Sequence, residues 1–287
     1  MKSPAGQLRE LLVQPGLLIM PGCYDAISAK LIEDAGFQIA FMSGFAVSGS
    51  RLGCPDTGLI SYGEMVDQGR NICSAISIPV FGDGDTGYGN ALNVKRTVQG
   101  YAAAGFACIM IEDQLAPKRC GHTQNKAVVG RDEAFNRIQA AVDSRNEGLD
   151  ILIMARTDAK ATHGLDEAIE RAKGFAEIGA DISFIEAPES EEEMRKYCAS
   201  VPGPKMANLI EFGKTPNLSP EHLEEIGYKI AVYPLTLLNA SILAMRSCLE
   251  AIQQGRQPRN IMNFEGLKSA VGFLDYYEQE KRYLSDR

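Results

Sequence analysis

Apolar residues gather along the chain in eight short, continuous runs: LLIMPG (17–22), IAFMSG (39–44), PVFGDGD (79–85), CIMIED (108–113), ILIMARTD (151–158), ISFIEA (182–187), KMANLI (205–210) and KIAVYP (229–234). None alternates apolar with polar positions, which is the pattern of parallel strands covered on both faces. Between them lie stretches of helical period, among them YDAISAKLIEDA (24–35), ALNVKRTVQGYAAA (91–104) and DEAIERAKGFAEIG (166–179). Gly36, Gly105, Gly179 and Gly227 close such stretches, where a helix ends in left-handed backbone. Eight β–α alternations predict an α/β chain folded as a (β/α)8 barrel over residues 1–254. A doubly wound sheet of the nucleotide-binding kind asks for GxGxxG after the first strand, and PGCYDA stands there instead. Residues 255–287 predict a helical extension whose Phe264, Phe273, Leu274, Tyr276 and Tyr277 are too apolar to face water, so it is expected to pack on a neighbouring subunit.

Composition narrows the function classes. The 287 residues carry a net charge of −8, which speaks against a nucleic-acid partner, since that requires a concentrated basic face. No run of about 18 apolar residues marks a membrane span, and the N-terminal stretch lacks the apolar core of a signal peptide. Seven cysteines, an odd number scattered through core and loop positions, suit a reducing cytoplasm better than a disulfide framework.

In a barrel of parallel strands the working site lies at the C-terminal strand ends, and polar residues collect there. Strand two ends in Ser43-Gly44, with Asp56 in the loop beyond; strand three ends in Asp83-Gly84-Asp85, and strand four in Glu112-Asp113. Strand five ends in Arg156-Thr157-Asp158, strand six in Glu186, and strand seven carries Asn208. Residues i and i+2 of a strand point the same way, so Asp83 and Asp85 are expected to aim at one point, with Gly84 letting a ligand approach the backbone. With Glu112 they make an oxygen-rich site for a hard cation, Mg²⁺ first, with Mn²⁺ as a substitute. Without a metal, carboxylates so placed raise one another's pKa. Arg156 brings a fork suited to a carboxylate, unless it serves only as a salt bridge to Glu186 or Asp158. Ser43 and Gly44 would offer backbone N–H groups to an anion. The segment KRCGHTQNK (118–126) has no apolar period; Lys118, Arg119 and His122 surround Cys120 with positive charge, which lowers a thiol's pKa and readies it for proton transfer.

PDTG (55–58), GDGDTGYGN (82–90), IEDQ (111–114), PKRCGH (117–122), NKAVV (125–129), MARTDA (154–159), ANLIEFG (207–213) and VYPLT (232–236) together resemble the isocitrate lyase and phosphoenolpyruvate mutase superfamily, in order and spacing over nearly the whole chain. The resemblance implies a (β/α)8 barrel whose last helix is exchanged between subunits, usually in a homotetramer. It implies that KRCGH is a lid delivering a cysteine in the lyase branch, whereas the phosphorus branch lacks that cysteine. The implied reaction is Mg²⁺-dependent cleavage of a 2-hydroxy diacid. The metal set is Asp83, Asp85 and Glu112; the catalytic set is Cys120, His122, Arg156 and Glu186, the last as a protonated donor. Ser43, Gly44, Asp56, Lys118, Gly121, Asn208 and Pro234 are implied to bind substrate. The base stays unassigned, because Phe41 stands where related lyases have a tyrosine.

The same resemblance bears on substrate. Enzymes that cleave the tricarboxylate 2-methylisocitrate to pyruvate and succinate carry an arginine where PLTLLN (234–239) places Asn239. A charge-assisted hydrogen bond is worth ~1.5–3 kcal/mol, so a neutral amide there loses roughly ten- to a hundredfold in binding that carboxylate. Phe45 narrows the pocket further. A smaller diacid, 2,3-dimethylmalate cleaved to pyruvate and propionate, is therefore the first expectation. 2-Methylisocitrate is the alternative, with Lys126 able to take the third carboxylate. Oxaloacetate or phosphonate chemistry stands behind both.

Overall fold

The computed structural model describes residues 2–119 and 126–284. Eight parallel strands follow one another: β1 Leu18–Cys23, β2 Ala40–Met42, β3 Val80–Asp83, β4 Cys108–Glu112, β5 Leu152–Thr157, β6 Ile182–Ile185, β7 Met206–Asn208 and β8 Ile230–Tyr233. Seven lie inside one of the eight apolar runs, and β1 runs one residue past its run, to Cys23. Neighbours pair in sequence order from β1 to β6, and β8 pairs with both β1 and β7. Between β6 and β7 a single parallel bridge, Ser183 to Lys205, brings the ring nearly to closure. The architecture is a (β/α)8 barrel.

The runs are continuously apolar because the two sides of each strand feed two different cores. Cys108 and Met110 of β4 face inward with Met20, Phe81, Met154 and Phe184, while Ile109 and Ile111 face outward against helical residues such as Val98 and Tyr101. The first helix, Pro4–Val13, puts Ala5 and Leu8 into the inner cluster beside Leu18, Ile39 and Ala107, which stand at or near the strand starts. It therefore plugs the barrel floor and leaves the other end for chemistry. Helix starts are set by side-chain caps: Asp25 with Ser28, Ser61 with Glu64, and Asn90 with Asn93 form reciprocal pairs. Gly105, Gly179 and Gly227 end their helices in left-handed backbone, as the sequence predicts.

The chain divides into compact units of Met1–Leu237 and Leu238–Arg287. The first holds the barrel. The second contains most of the helix Thr236–Gln253 together with Phe264–Ala270 and Phe273–Tyr283; Asn239 is an exposed position of it. Among the described residues no helix is long and apolar enough to cross a membrane.

Candidate active site

The C-terminal strand ends surround a cavity of about 500 Å³, its open mouth included. Its walls take in Ser43, Asp56, Asp83, Glu112, Lys118, Arg156, Glu186, Asn208 and Pro234, so nine of the residues singled out from sequence meet in one place. Cys120, Gly121 and His122 lie outside the described residues. Asp85 and Gly44 stand just behind the wall.

The pair Asp83 and Asp85 is assembled differently from the expected strand alternation. β3 ends at Asp83, and Asp85 has left-handed backbone, φ 49°. The turn is held by the Asp85 N–H, which donates to Asp83 Oδ1 at 3.2 Å. Such a conformation costs a non-glycine residue of order 1–3 kcal/mol and collects at functional sites. Gly84 serves packing rather than ligand approach: its N–H donates to the Met110 carbonyl, and a Cβ there would stand 2.7 Å from that oxygen. The Gly44 N–H, expected to meet a substrate anion, donates instead to Asp83 Oδ2 at 3.1 Å. A Cβ on Gly44 would lie 2.6 Å from the same oxygen, so this position needs glycine.

Lys118 is buried among the acids, with Nζ 2.5 Å from Asp56 Oδ1 and 2.8 Å from Asp85 Oδ1. One ammonium thus bridges two carboxylates. Burial opposes the ammonium, but Asp85, Asp83, Asp56 and Glu112 outweigh it and keep Lys118 firmly protonated. Burial likewise pushes Asp83 up to about 6, with Asp85 and Asp56 adding to the rise. Glu112 is driven well above the carboxylate range by burial, against the pull of Arg156. Clustering does raise these groups, as the sequence suggests, but desolvation is the larger cause.

Arg156 meets both of its expected ion-pair partners and still lines the cavity. Its Nε donates to Asp158 Oδ2 at 2.8 Å and its Nη2 to Asp158 Oδ1 at 3.1 Å. Glu112 Oε2 is 3.2 Å from Nε, Glu186 Oε2 is 3.2 Å from Nη2, and the guanidinium lies 5.4 Å from the Phe184 ring centre. Asn208 Nδ2 also donates to Glu186, at 3.2 Å. With donors on both sides, Glu186 acts here as an acceptor.

Other residues take places beyond those the sequence assigned to them. Arg119 lines the cavity. Its backbone is clasped by the Gln114 amide, which accepts from the Arg119 N–H at 2.9 Å and donates to its carbonyl at 2.8 Å. Asp158 pairs with Arg156 through both oxygens, and the i, i+2 spacing was the signal for it. The apolar lining residues Phe41, Phe45, Ile210, Val232, Pro234 and Leu235 lie on or after β2, β7 and β8, whereas Asp83, Glu112, Arg156 and Glu186 lie on or after β3 to β6, on the other arc of the ring. Phe41, Phe45 and Pro234 were singled out from the sequence, whereas nothing in its pattern distinguished Ile210, Val232 and Leu235 from core.

Asp56, Asp83, Asp85, Glu112, Asp158 and Glu186 give this buried set six carboxylates against three cations, Lys118, Lys126 and Arg156. Among the described residues no three His, Cys, Asp or Glu side chains already converge as a metal cage. The donor set nonetheless suits a hard cation: it is all oxygen, short of positive charge, and includes Glu112 Oε1, which is buried without a hydrogen-bond partner.

Known proteins point the same way. The family model described as phosphoenolpyruvate phosphomutase matches residues 8–253. The chain belongs to this family. Among its relatives are 2,3-dimethylmalate lyase of Eubacterium barkeri, 42% identical over 99% of each chain, and 2-methylisocitrate lyase of Aeropyrum pernix, 40% identical over 98% of this chain and 91% of that one. A chloroplastic carboxyvinyl-carboxyphosphonate phosphorylmutase of Arabidopsis thaliana is also 40% identical, over 98% of this chain and 85% of that one. Among solved structures, an oxaloacetate acetylhydrolase with 3,3-difluorooxalacetate superposes with a TM-score of 0.93 at 33% identity, covering 97% of this chain and 96% of that one. A 2,3-dimethylmalate lyase, described as a PEP mutase/isocitrate lyase superfamily member, does so at 0.93 and 34%, covering 98% and 96%. A phosphonopyruvate hydrolase complex with oxalate and Mg⁺⁺ follows at 0.88 and 29%, covering 99% and 100%. The lyases among these relatives support a carbon–carbon lyase within the family.

Proposed function

We propose that this chain cleaves the C2–C3 bond of a 2-hydroxy dicarboxylate, with 2,3-dimethylmalate giving pyruvate and propionate. The observation that carries the reading is the two-sided cavity. Acids with Arg156 and Lys118 form one side, and the alkyl and aromatic wall from Phe41 to Leu235 forms the other. Two methyl groups suit the second side; a third carboxylate there would meet Val232, Pro234 and Leu235 and lose its hydration without a partner.

Asp83, Asp85 and Glu112 would hold a Mg²⁺, as the hydrolase complexed with oxalate and Mg⁺⁺ suggests. When bound, it would supply positive charge that acidifies the 2-hydroxyl and offsets the surplus of carboxylates. The chain's own residues do the rest. Arg156 presents its guanidinium to a substrate carboxylate while Asp158, Glu112 and Glu186 hold it in place. Loss of the hydroxyl proton turns C2 into a ketone, and the electron pair of the broken bond stays on C3 as its carboxylate takes on charge. Arg156 and Asn208 are the donors available to that charge. Cys120 is proposed to return a proton to C3, completing propionate. Phe41, which lines the cavity, cannot act as base.

Arg119 favours a second reading. Its presence on the wall would give a third carboxylate a charged partner in place of Asn239, as 2-methylisocitrate requires. Pyruvate release with Mg²⁺ from the two acids at matched concentration, with Cys120→Ser alongside, decides between them. Preference for 2,3-dimethylmalate, lost in Cys120→Ser, is the expected result. Preference for 2-methylisocitrate would transfer the assignment, and release from neither would end both.

A further inference from the structure

Arg156 is held by more carboxylates than a substrate-binding arginine needs, and the arrangement is specific. Asp158 uses both oxygens on one edge of the guanidinium, taking Nε at 2.8 Å and Nη2 at 3.1 Å. That edge fixes the plane of the group, and Nη1 is the corner left over for the cavity that Arg156 lines. Asp158 is itself fully buried and fixed from behind. Its backbone N–H donates to Asp113 Oδ1 at 2.9 Å. The other oxygen of Asp113 accepts from Thr157 Oγ1 at 2.6 Å and from Arg171 Nη1 at 2.9 Å. Arg171 in turn donates to the Val129 carbonyl at 2.9 Å, so the brace runs from the strand end to the helix Leu165–Ile178. Asp158 Oδ1 also accepts from Lys126 Nζ at 2.8 Å, and both side chains are almost wholly buried.

We infer that Asp158 is the positioning residue for Arg156: it sets the guanidinium plane toward the cavity, and Lys126 shares the carboxylate that does so. This rests on the proposed binding of a carboxylate at Arg156. A bystander salt bridge would not need a second buried carboxylate, Asp113, to place it, nor two cations converging on one oxygen. Asp158 is not among the residues that line the cavity. It acts through Arg156, and its removal leaves the guanidinium the longer, 3.2 Å contacts to Glu112 and Glu186 in place of a two-point grip.

The test is a double-mutant cycle read by binding, with oxalate in the presence of Mg²⁺ as the probe and calorimetry as the measurement. Asp158→Asn and Arg156→Lys are each expected to weaken oxalate binding about tenfold or more, the scale of a charge-assisted hydrogen bond. The double variant is expected to lose no more than the worse single one, because the two side chains act as a unit. Losses that multiply, or oxalate binding by Asp158→Asn equal to that of the parent, would overturn the inference. If Asp158→Asn does not fold, Asp158→Glu takes its place; its loss vanishes in the Arg156→Lys background if Asp158 works through Arg156, and persists if it does not. Failure of the unaltered protein to bind oxalate with Mg²⁺ would strike the proposed function itself, so the two failures are told apart.

Discussion

At the residue scale, the site is a problem in burying charge. Asp83 is raised to about 6 first of all by burial, from an ordinary value of 3.8. The sign of its effect on stability follows from proton binding. Between those values the native state holds the proton more tightly than the unfolded chain. Its contribution is therefore complete below 3.8 and is lost as pH rises towards 6. The upper bound is ~3 kcal/mol, from 1.36 kcal/mol per pKa unit. Asp158, held down at about 2 by Arg156 and Lys126 despite its burial, has the opposite sign: its contribution is complete above 3.8 and is lost as pH falls towards 2. In chelator-treated protein, raising the pH from 4.5 to 6.5 should lower the urea midpoint of the parent more than that of Asp83→Asn. Equal slopes for the two proteins would refute the assignment to Asp83. Identities at this scale were legible: strand-end position alone brought out Asp83, Glu112, Arg156, Glu186 and Asn208, all of which line one cavity. Partners were legible for Arg156, whose salt bridges to Asp158 and Glu186 were expected, and not for the glycines. That Gly44 donates to Asp83, or that Gly84 leans on the Met110 carbonyl, depends on backbone direction after the strand has ended, which no alternation rule reaches.

At the scale of elements, every strand coincides with a run read from sequence, β1 passing its end by one residue, because burial on both faces imposes apolar residues without gaps. Glycine within a strand is the exception that the pattern cannot interpret. Gly82 stands in β3 opposite Ile109 of β4, where a Cβ would lie 2.7 Å from the Tyr101 ring and 2.8 Å from Phe106. Those two rings stack with centroids 4.8 Å apart, and the Tyr101 hydroxyl donates to the Asp83 carbonyl at 2.6 Å. The helix Ala91–Ala104 is thus seated against β3 closely enough to touch the site-bearing strand end. Gly82→Ala should cost ~1–3 kcal/mol by overpacking, seen as a lower urea midpoint with an unchanged slope. A stability equal to the parent's would mean that the ring pair yields freely and does not hold the strand.

At the scale of the whole molecule, the surface of the second unit is the feature the barrel does not explain. Leu249, Ile261, Met262, Phe264, Leu274 and Tyr276 are each at least half exposed. The helix Phe273–Tyr283 has no buried residue. Apolar side chains so concentrated in one short unit lose ~25 cal/mol for every Å² left in water, a cost that another copy of the chain removes by covering them. A net charge of −8 does not prevent such pairing, since apolar contacts are insensitive to charge placed elsewhere. We therefore expect the full chain to be a homo-oligomer, a tetramer on the pattern implied by its resemblance to the superfamily. Removal of residues 255–287 should lower the mass measured by light scattering on a sizing column, while the barrel's far-ultraviolet spectrum is retained. A full chain that runs as a monomer would show that no second copy covers this surface. The experiment also separates folding from assembly: the barrel has its own inner and outer cores, built from residues before Leu238, and needs no second copy to fill them.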